Sequence, residues 1–171
     1  HKRFFPSVHE DLTVLRDGSG EEILRQHILR SGSGGMTRSD LLNRVAMIPD
    51  EMEALLKKMT EKGDLLVVDP EKLKVIAKTQ YQRLKELSLG QLKEFHQRFP
   101  MKSGLSKEEL RTRLPSDVDI KLFQILIHGL LKTNGVVLEK DKLRLSEHQI
   151  SSLDEKGLIK KVEEAMMGGG L

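Results

Sequence analysis

Apolar residues recur at helical spacing along the chain in two successive groups, and each group is followed by two short runs with strand character. Three helices are predicted from the first group, which comprises Ile23, Leu24 and Ile28, then Leu41, Leu42 and Val45, then Met52, Leu55, Leu56 and Met59. The runs 63–68 and 73–76 come next and predict a hairpin with Pro70 in its turn. Three helices and a hairpin form a winged helix, a variant of the helix-turn-helix.

The second group repeats this order about seventy residues later. Its apolar positions are Leu89, Leu92, Phe95 and Phe99, then Leu110 and Leu114, then Ile120, Phe123, Ile127, Leu130 and Leu131, followed by strand-like runs at 135–138 and 143–145. The segment that begins at Gly35 aligns with the segment that begins at Gly104, an offset of 69 positions. The predicted fold class is therefore mainly α with small β-hairpin wings, built as tandem winged helices.

Capping signals support the helix starts. Three pairs have the spacing of a capping box, the last in a weaker form: Ser19 with Glu22, Ser106 with Glu109, and Thr37 with Asp40. Between the two groups, residues 77–99 are predicted as one bent, nearly continuous helix, and the alternative is two helices that break near Gly90.

A third repeat begins after residue 150, with a capping signal at Ser152 and a helical apolar face that includes Leu158 and Met166. The predicted organisation is a connector at 1–17, a first winged-helix module at 18–76, a second at 77–150, and the first helix of a third at 151–171. Modules this small bury only about 60% of their unfolded surface, so docking against a neighbour is expected to stabilise each one. Because the chain begins at His1 rather than Met, we expect it to be part of a longer protein.

Composition narrows the function. The 171 residues contain no Trp and no Cys. The lack of Cys excludes a disulfide, a thiolate zinc site and a cysteine nucleophile, and it fits a reducing cytosol. No apolar run approaches the roughly 18 residues that span a bilayer, so a soluble, cytoplasmic chain is expected. The net charge of +3 is too small to indicate nucleic-acid binding, and six aromatic residues provide no stacking sheet of the RRM or OB type.

No catalytic constellation is found. The glycine-rich stretch 31–35 lacks the lysine of a phosphate loop and is interpreted as a turn between helices. The histidines at 1, 9, 27, 96, 128 and 148 do not have metal-ligand spacing. We therefore predict no catalytic, cofactor-binding or metal site, and no enzymatic activity.

A winged helix usually places its third helix in the DNA major groove, so the charges on these helices matter. The first module's third helix carries Asp50, Glu51 and Glu53 at its leading end, and the second module's opens with Asp117 and Asp119. Carboxylates at that end repel phosphate, which argues against reading of duplex DNA by either helix.

Positive charge gathers instead on the joining helix and around the second helix of the second module. The candidate contacts to an RNA backbone are Lys78, Arg83, Lys93, Arg98, Lys102, Lys107, Arg111 and Arg113. The alternative is a solvated face whose cations are balanced by Glu86, Glu94, Glu108 and Glu109.

Residues 92–114, LKEFHQRFPMKSGLSKEELRTRL, resemble the F-H-x-x-x-P-x-x-x-G-x-x-x-E-E-L-R signature of the SelB family, the bacterial selenocysteine-specific translation elongation factors. The resemblance is specific over 84–171 and loose over the whole chain. The first module has no string of comparable specificity, and its assignment rests on the repeat. Phe4, Phe5 and Pro6 would then belong to the connection from the preceding part of such a factor.

The resemblance implies a parent protein with a GTPase part that binds GTP and Mg²⁺ and delivers selenocysteyl-tRNA, followed by four winged-helix modules. The last module grips a hairpin in selenoprotein mRNA, and the first two act mainly as a spacer that can lie against the ribosome. This chain would be a monomeric spacer with no cofactor of its own. The alternatives are a tandem winged-helix transcription regulator that binds DNA and a winged-helix scaffold for protein interactions.

Overall fold

The computed structural model describes residues 19–148 and 165–168. The predicted connector at 1–17, and residues 151–164 and 169–171 of the predicted third-module helix, lie outside the described residues. Within the described part, three helices followed by a β-hairpin occur twice in succession. The predicted fold class, mainly α with small hairpin wings, is confirmed.

The first winged helix follows the predicted order closely. Its elements are α1 (Gly20–Arg30), α2 (Arg38–Arg44), α3 (Pro49–Glu61), β1 (Leu65–Asp69) and β2 (Lys74–Ala77). The capping pair Ser19 and Glu22 forms the reciprocal hydrogen bonds of a capping box at the start of α1. The glycine-rich stretch forms a short 3₁₀ turn at Gly32–Gly34 between α1 and α2, as the sequence indicates.

A single helix, α4 (Lys78–Arg98), joins the two winged helices. It runs without a break through Gly90, where a side chain would meet no atom within 4 Å. The hydroxyl of Ser88 is buried and donates to the carbonyl oxygen of Leu84 at 2.7 Å, so it does not start a new helix. Of the two predicted alternatives, the continuous helix is the one observed.

The second winged helix contains a strand that the sequence analysis missed. Its elements after α4 are β3 (Leu105–Ser106), α5 (Lys107–Arg113), α6 (Ile120–Lys132), β4 (Val136–Glu139) and β5 (Lys142–Leu145). The short β3 pairs antiparallel with β5 to give a three-stranded sheet in the order β3-β5-β4. In the first winged helix the matching contact is one isolated bridge between Met36 and Val75.

Gly35 and Gly104, which occupy equivalent positions of the repeat, are both required because the backbone passes close to a wing strand. At Gly35 a Cβ atom would lie 2.5 Å from the carbonyl oxygen of Val75 in β2, and at Gly104 it would lie 2.5 Å from that of Leu143 in β5. Both distances are far below van der Waals contact, so only glycine allows the chain to approach the wing this closely. The 69-residue offset therefore marks equivalent backbone contacts in the two units.

The hydrophobic cores show that the two units are packed together. One core lies within the first winged helix, around Leu24, Leu41 and Met59. The other comprises the second winged helix together with Val68 and Ile76, which come from the wing of the first. The first wing is thus shared, and the docking expected from the small size of each module is present.

Three residues assigned to apolar helix faces are in fact exposed: Phe99, Ile120 and Met166, the last at 79%. Phe99, 41% exposed, follows the last residue of α4 and has left the helical path. Ile120, 60% exposed, is the first residue of α6. Helical periodicity stops predicting burial at such termini because the next turn that would cover the side chain is missing.

Candidate nucleic-acid interface

The third helix of the first winged helix, α3, offers few free cations to a nucleic acid. Asp50 and Glu51 are exposed in its first turn. In its second half, the ammonium groups of Lys58 and Lys62 lie 3.4 and 3.1 Å from the carboxylate of Glu21 on α1. The hydrogen bond from Lys62 lowers the pKa of Glu21, in keeping with a carboxylate that is held ionised.

The third helix of the second winged helix, α6, is docked on the first wing. Lys74 Nζ in β2 donates to Asp119 Oδ2 at 2.6 Å, and Lys121 Nζ donates to Asp69 Oδ2 in β1 at 2.7 Å. Asp119 also caps α6 by accepting from the backbone N–H of Leu122 at 2.8 Å. The two charge pairs run in opposite senses across the contact, which fixes how the helix lies on the wing.

These contacts shift the ionisation of the groups involved. The hydrogen bond from Lys121 lowers the pKa of Asp69, and the same contact raises the pKa of Lys121. At Asp119 burial acts to raise the pKa, but the hydrogen bonds from Lys74 and from the backbone N–H of Leu122 outweigh it and leave the pKa lowered. All three groups are therefore held in their charged forms.

Asp117 adds a third contact between the units. Its carboxylate accepts from the hydroxyl of Ser33 at 3.0 Å and from the backbone N–H of Gly34 at 2.8 Å. The glycine-rich turn, interpreted from sequence only as a connection, therefore binds the segment that leads into α6. Further along, the hydroxyl of Tyr81 on α4 donates to the carbonyl oxygen of Ile125 in α6 at 3.1 Å.

The acidic leading end of α6, predicted to repel phosphate, thus has partners within the protein. Asp117 and Asp119 are both hydrogen-bonded to the first winged helix, although the Asp119 side chain stays 45% exposed. The two carboxylates at the end of α6 that would lead into a major groove are therefore bound to the neighbouring unit. That these carboxylates disfavour groove reading stays a prediction, and the sequence did not reveal their partners.

The eight candidate basic residues do not form one surface. Lys78 and Arg83 lie in the first two turns of α4, whereas Lys93 and Arg98 lie near its other end. At 1.5 Å per residue the helix is about 30 Å long, so the two groups are well separated.

Two of the candidates meet over one aromatic ring. The Lys102 ammonium lies 6.0 Å from the ring centre of Phe95, and the Arg113 guanidinium also lies 6.0 Å from it. Lys102 is closer still to Phe99, at 4.5 Å from its ring centre. Arg113 also donates a long hydrogen bond of 3.4 Å to the side-chain oxygen of Gln91.

The remaining candidates near this point are less available. Arg111 pairs with Glu108 at 3.3 Å, and Arg98 lies 3.9 Å from Glu94. Lys107 is the first residue of α5 and is half-buried. The structure thus brings Lys102 and Arg113 together, whereas the other six candidates lie at a distance, are paired, or, like Lys107, are half-buried.

Residues 89–145 match the family model described as "Elongation factor SelB, winged helix". The chain is also 30% identical over 163 residues, 95% of its length, to the selenocysteine-specific elongation factor of Desulfomicrobium baculatum. The chain belongs to the SelB winged-helix family. It spans 26% of the length of that curated relative.

The SelB match begins in the middle of α4 and ends with β5, so it contains Phe95, Phe99, Lys102 and Arg113. It also contains Asp117, Asp119 and Lys121, which dock α6 on the first wing. Both features of the candidate interface therefore lie in the part of the chain that is recognisably SelB.

The described ranges 19–148 and 165–168 hold no group of three or more His, Asp or Glu side chains arranged to bind a metal ion. Among the helices in those ranges, none has both the length and the apolar character to cross a membrane.

Proposed function

We propose that this chain is the spacer of a selenocysteine-specific elongation factor, made of two winged-helix modules at 18–76 and 77–150. It would hold the part that carries selenocysteyl-tRNA, and binds GTP with Mg²⁺, at a set distance from the part that binds the mRNA hairpin. In this role the two modules carry no catalytic or cofactor site of their own. They would act as a monomer in the cytoplasm, next to the ribosome.

The observation that carries this proposal is the docking of α6 on the first wing. Three polar contacts, made by Asp117, Asp119 and Lys121, join the two units. The hydrophobic core is shared across the same boundary through Val68 and Ile76. A spacer needs a fixed relation between its two ends, and a shared core with oppositely directed charge pairs supplies one.

The same docking argues against the transcription regulator. A DNA-reading winged helix needs the leading end of its third helix free to meet base edges, whereas Asp117 and Asp119 at that end of α6 are bound to the neighbouring unit. We propose that any contact with nucleic acid is instead made to an RNA backbone through Lys102 and Arg113, without recognition of sequence.

The distance between the two modules tests the spacer directly. Because the chain contains no Cys, Lys57→Cys together with Lys132→Cys would place one spin label on α3 and one on α6, both at exposed positions. Pulsed electron paramagnetic resonance should give one narrow distance distribution. The added pair Asp119→Ala and Lys121→Ala should broaden it, whereas a broad distribution in the doubly labelled parent would contradict a fixed spacer.

A titration with nucleic acids tests the alternative. Labelled duplex DNA and an RNA hairpin would each be titrated across a salt series. We expect weak binding that favours RNA and ignores sequence, with a salt dependence that reflects few phosphate contacts. Tight binding of duplex DNA with clear sequence preference would favour the regulator.

A further inference from the structure

Phe99 lies on the surface beside a ring that is buried. It is 41% exposed, whereas Phe95, whose ring centre is 5.3 Å away, is 5% exposed. The neighbouring Met101 is 60% exposed. Phe99, Met101, Lys102 and Arg113, which we call the Phe99 surface, thus combine an exposed apolar patch with two cations.

The cations of the Phe99 surface have aromatic partners but no ion-pair partners. Lys102 lies over Phe99 and Arg113 over Phe95, and neither has a carboxylate within 4 Å among the described residues. In the first winged helix, by contrast, Arg25, Arg38, Lys58, Lys62 and Lys74 all pair with carboxylates. Glu109 lies near both cations: hydrogen bonds from Ser106 lower its pKa, and the charges of Lys102 and Arg113 lower it further. Within the part of the chain that the structure describes, neither cation is held in an ion pair within 4 Å, so each can still contact an anion.

The segment that contains the Phe99 surface has as much net positive charge as the whole chain. Residues 93–113 contain six Lys or Arg and three Asp or Glu, an excess of +3, which equals the formal net charge of the full sequence. The rest of the chain is neutral in sum. The excess of positive charge at this end of α4 attracts a negatively charged partner.

We propose that the Phe99 surface binds one unpaired nucleotide of an RNA strand. The base would stack on the Phe99 ring with Met101 at its edge, and Lys102 and Arg113 would bind the phosphates on either side. This proposal deepens the RNA contact of the proposed function and rests on it. Stacking on a single aromatic ring tolerates any base, so it is compatible with binding that ignores sequence.

An unpaired strand fits these residues better than a duplex or an acidic protein segment. In a duplex the base faces are already stacked, and an exposed Phe ring would gain nothing from them. An acidic peptide would satisfy Lys102 and Arg113 but would leave the faces of Phe99 without a flat partner. A nucleotide supplies a phosphate and a π-face within one residue.

Fluorescence can report the stacking directly, because the chain has no Trp. Phe99→Trp would introduce a single indole while keeping a large aromatic side chain. Its emission should be quenched by a single-stranded ten-nucleotide adenine RNA and not by an abasic RNA of equal length. Leu87→Trp is the matched control, since Leu87 is 40% exposed on α4, about 17 Å along the helix from its last residue, Arg98.

Affinity measurements on the 171-residue chain separate the base from the phosphates. Phe99→Leu should weaken binding of the adenine RNA at least about fivefold and leave the salt dependence unchanged. Lys102→Ala should lower the slope of log affinity against log salt by about 0.7, the value for one phosphate contact on a single strand. Lys57→Ala, an exposed cation on α3, should change neither quantity.

The outcomes distinguish this inference from the proposed function. If Phe99→Trp is not quenched and abasic RNA binds as tightly as adenine RNA, nucleotide stacking is overturned, while a loss with Lys102→Ala would leave the backbone contact standing. If Lys102→Ala also has no effect, the RNA contact itself is overturned. Tighter binding of polyglutamate than of RNA would assign the surface to an acidic protein instead.

Discussion

The ammonium of Lys121 in α6 lies 2.7 Å from the carboxylate of Asp69 at the end of β1, across the boundary between the two winged helices. The pair is asymmetric, because the Asp69 side chain is 5% exposed and that of Lys121 is 52% exposed. Asp69 also accepts from the backbone N–H of Glu71 at 3.1 Å. The aspartate is thus fixed in the first wing, and the lysine comes to it from the second unit.

This pair makes the stability of the two-unit body sensitive to acid. Because the pKa of Asp69 is lowered in the folded state, its contribution is present above the ordinary aspartate value of about 3.9 and is lost as the pH falls through the lower folded value. We expect the free energy of unfolding to fall in that range, and to fall less in Lys121→Met. Urea unfolding followed by circular dichroism at several pH values measures this. Parallel pH curves for the two proteins would show that Lys121 does not hold the pKa of Asp69 down.

Asp119 should be the most sensitive of the docking carboxylates, since it has two roles. It caps α6 through the N–H of Leu122 and pairs with Lys74 across the boundary. Loss of an N-cap alone costs about 1 kcal/mol, so Asp119→Ala should lower the free energy of unfolding by about 1–2 kcal/mol. Asp50→Ala is the control, because Asp50 is exposed in the first turn of α3 and its loss should cost well under about 0.5 kcal/mol. Equal effects of the two substitutions would rule out this double role.

Two glycine-to-alanine substitutions should act in opposite directions. At Gly34 a Cβ would lie 2.8 Å from the backbone oxygen of Asp117, so Gly34→Ala should push the units apart and destabilise by about 1–3 kcal/mol. At Gly90 a Cβ would meet no atom within 4 Å in the middle of α4, so Gly90→Ala should stabilise by up to about 1 kcal/mol. Thermal unfolding of both variants checks the signs. A stabilised Gly34→Ala would mean that the glycine-rich turn does not limit the approach of Asp117.

The elements were predictable because their signals are local. The residues of a capping pair lie three positions apart, and the residues of each apolar face belong to a single helix. The contact of Asp117 with Gly34 joins positions 83 residues apart, and the sequence of neither segment indicates that the other is its partner. The two-residue strand Leu105–Ser106 was missed because it exists only through its pairing with β5.

In the candidate site, too, local features were predictable from the sequence and features that depend on packing were not. The acidic end of α6 was evident from the sequence, since charge is a local property, but its partners in the first winged helix were not. The sequence placed Phe99 on a buried face because the spacing from Phe95 fits a helix, yet the helix ends one residue earlier. Which of the eight basic residues share a surface depends on how α4 and α5 pack, so periodicity could not select Lys102 and Arg113.

His96 should give the protein a second pH dependence, near neutrality. The ring is buried and stacks on His148 with ring centres 3.7 Å apart, and its Nε2 accepts from the backbone N–H of Leu145 at 3.3 Å. Burial lowers the pKa of His96, and the nearby His148 and Arg144 lower it further. Its contribution to stability is therefore present above the ordinary histidine value of about 6.5 and is lost as the pH falls below that value.

We expect the free energy of unfolding to decrease between about pH 7.5 and 5.5, with a slope from His96 of at most about 1.4 kcal/mol per pH unit. His96→Gln keeps a side-chain oxygen that can accept from Leu145 but cannot titrate, so it should flatten this dependence. His128→Gln, at an exposed position on α6, should keep it. Part of the slope should persist in His96→Gln because burial also lowers the pKa of His27. Urea unfolding of the three proteins across this range decides the point, and identical slopes in the parent and His96→Gln would show that His96 is already free to bind a proton in the folded state.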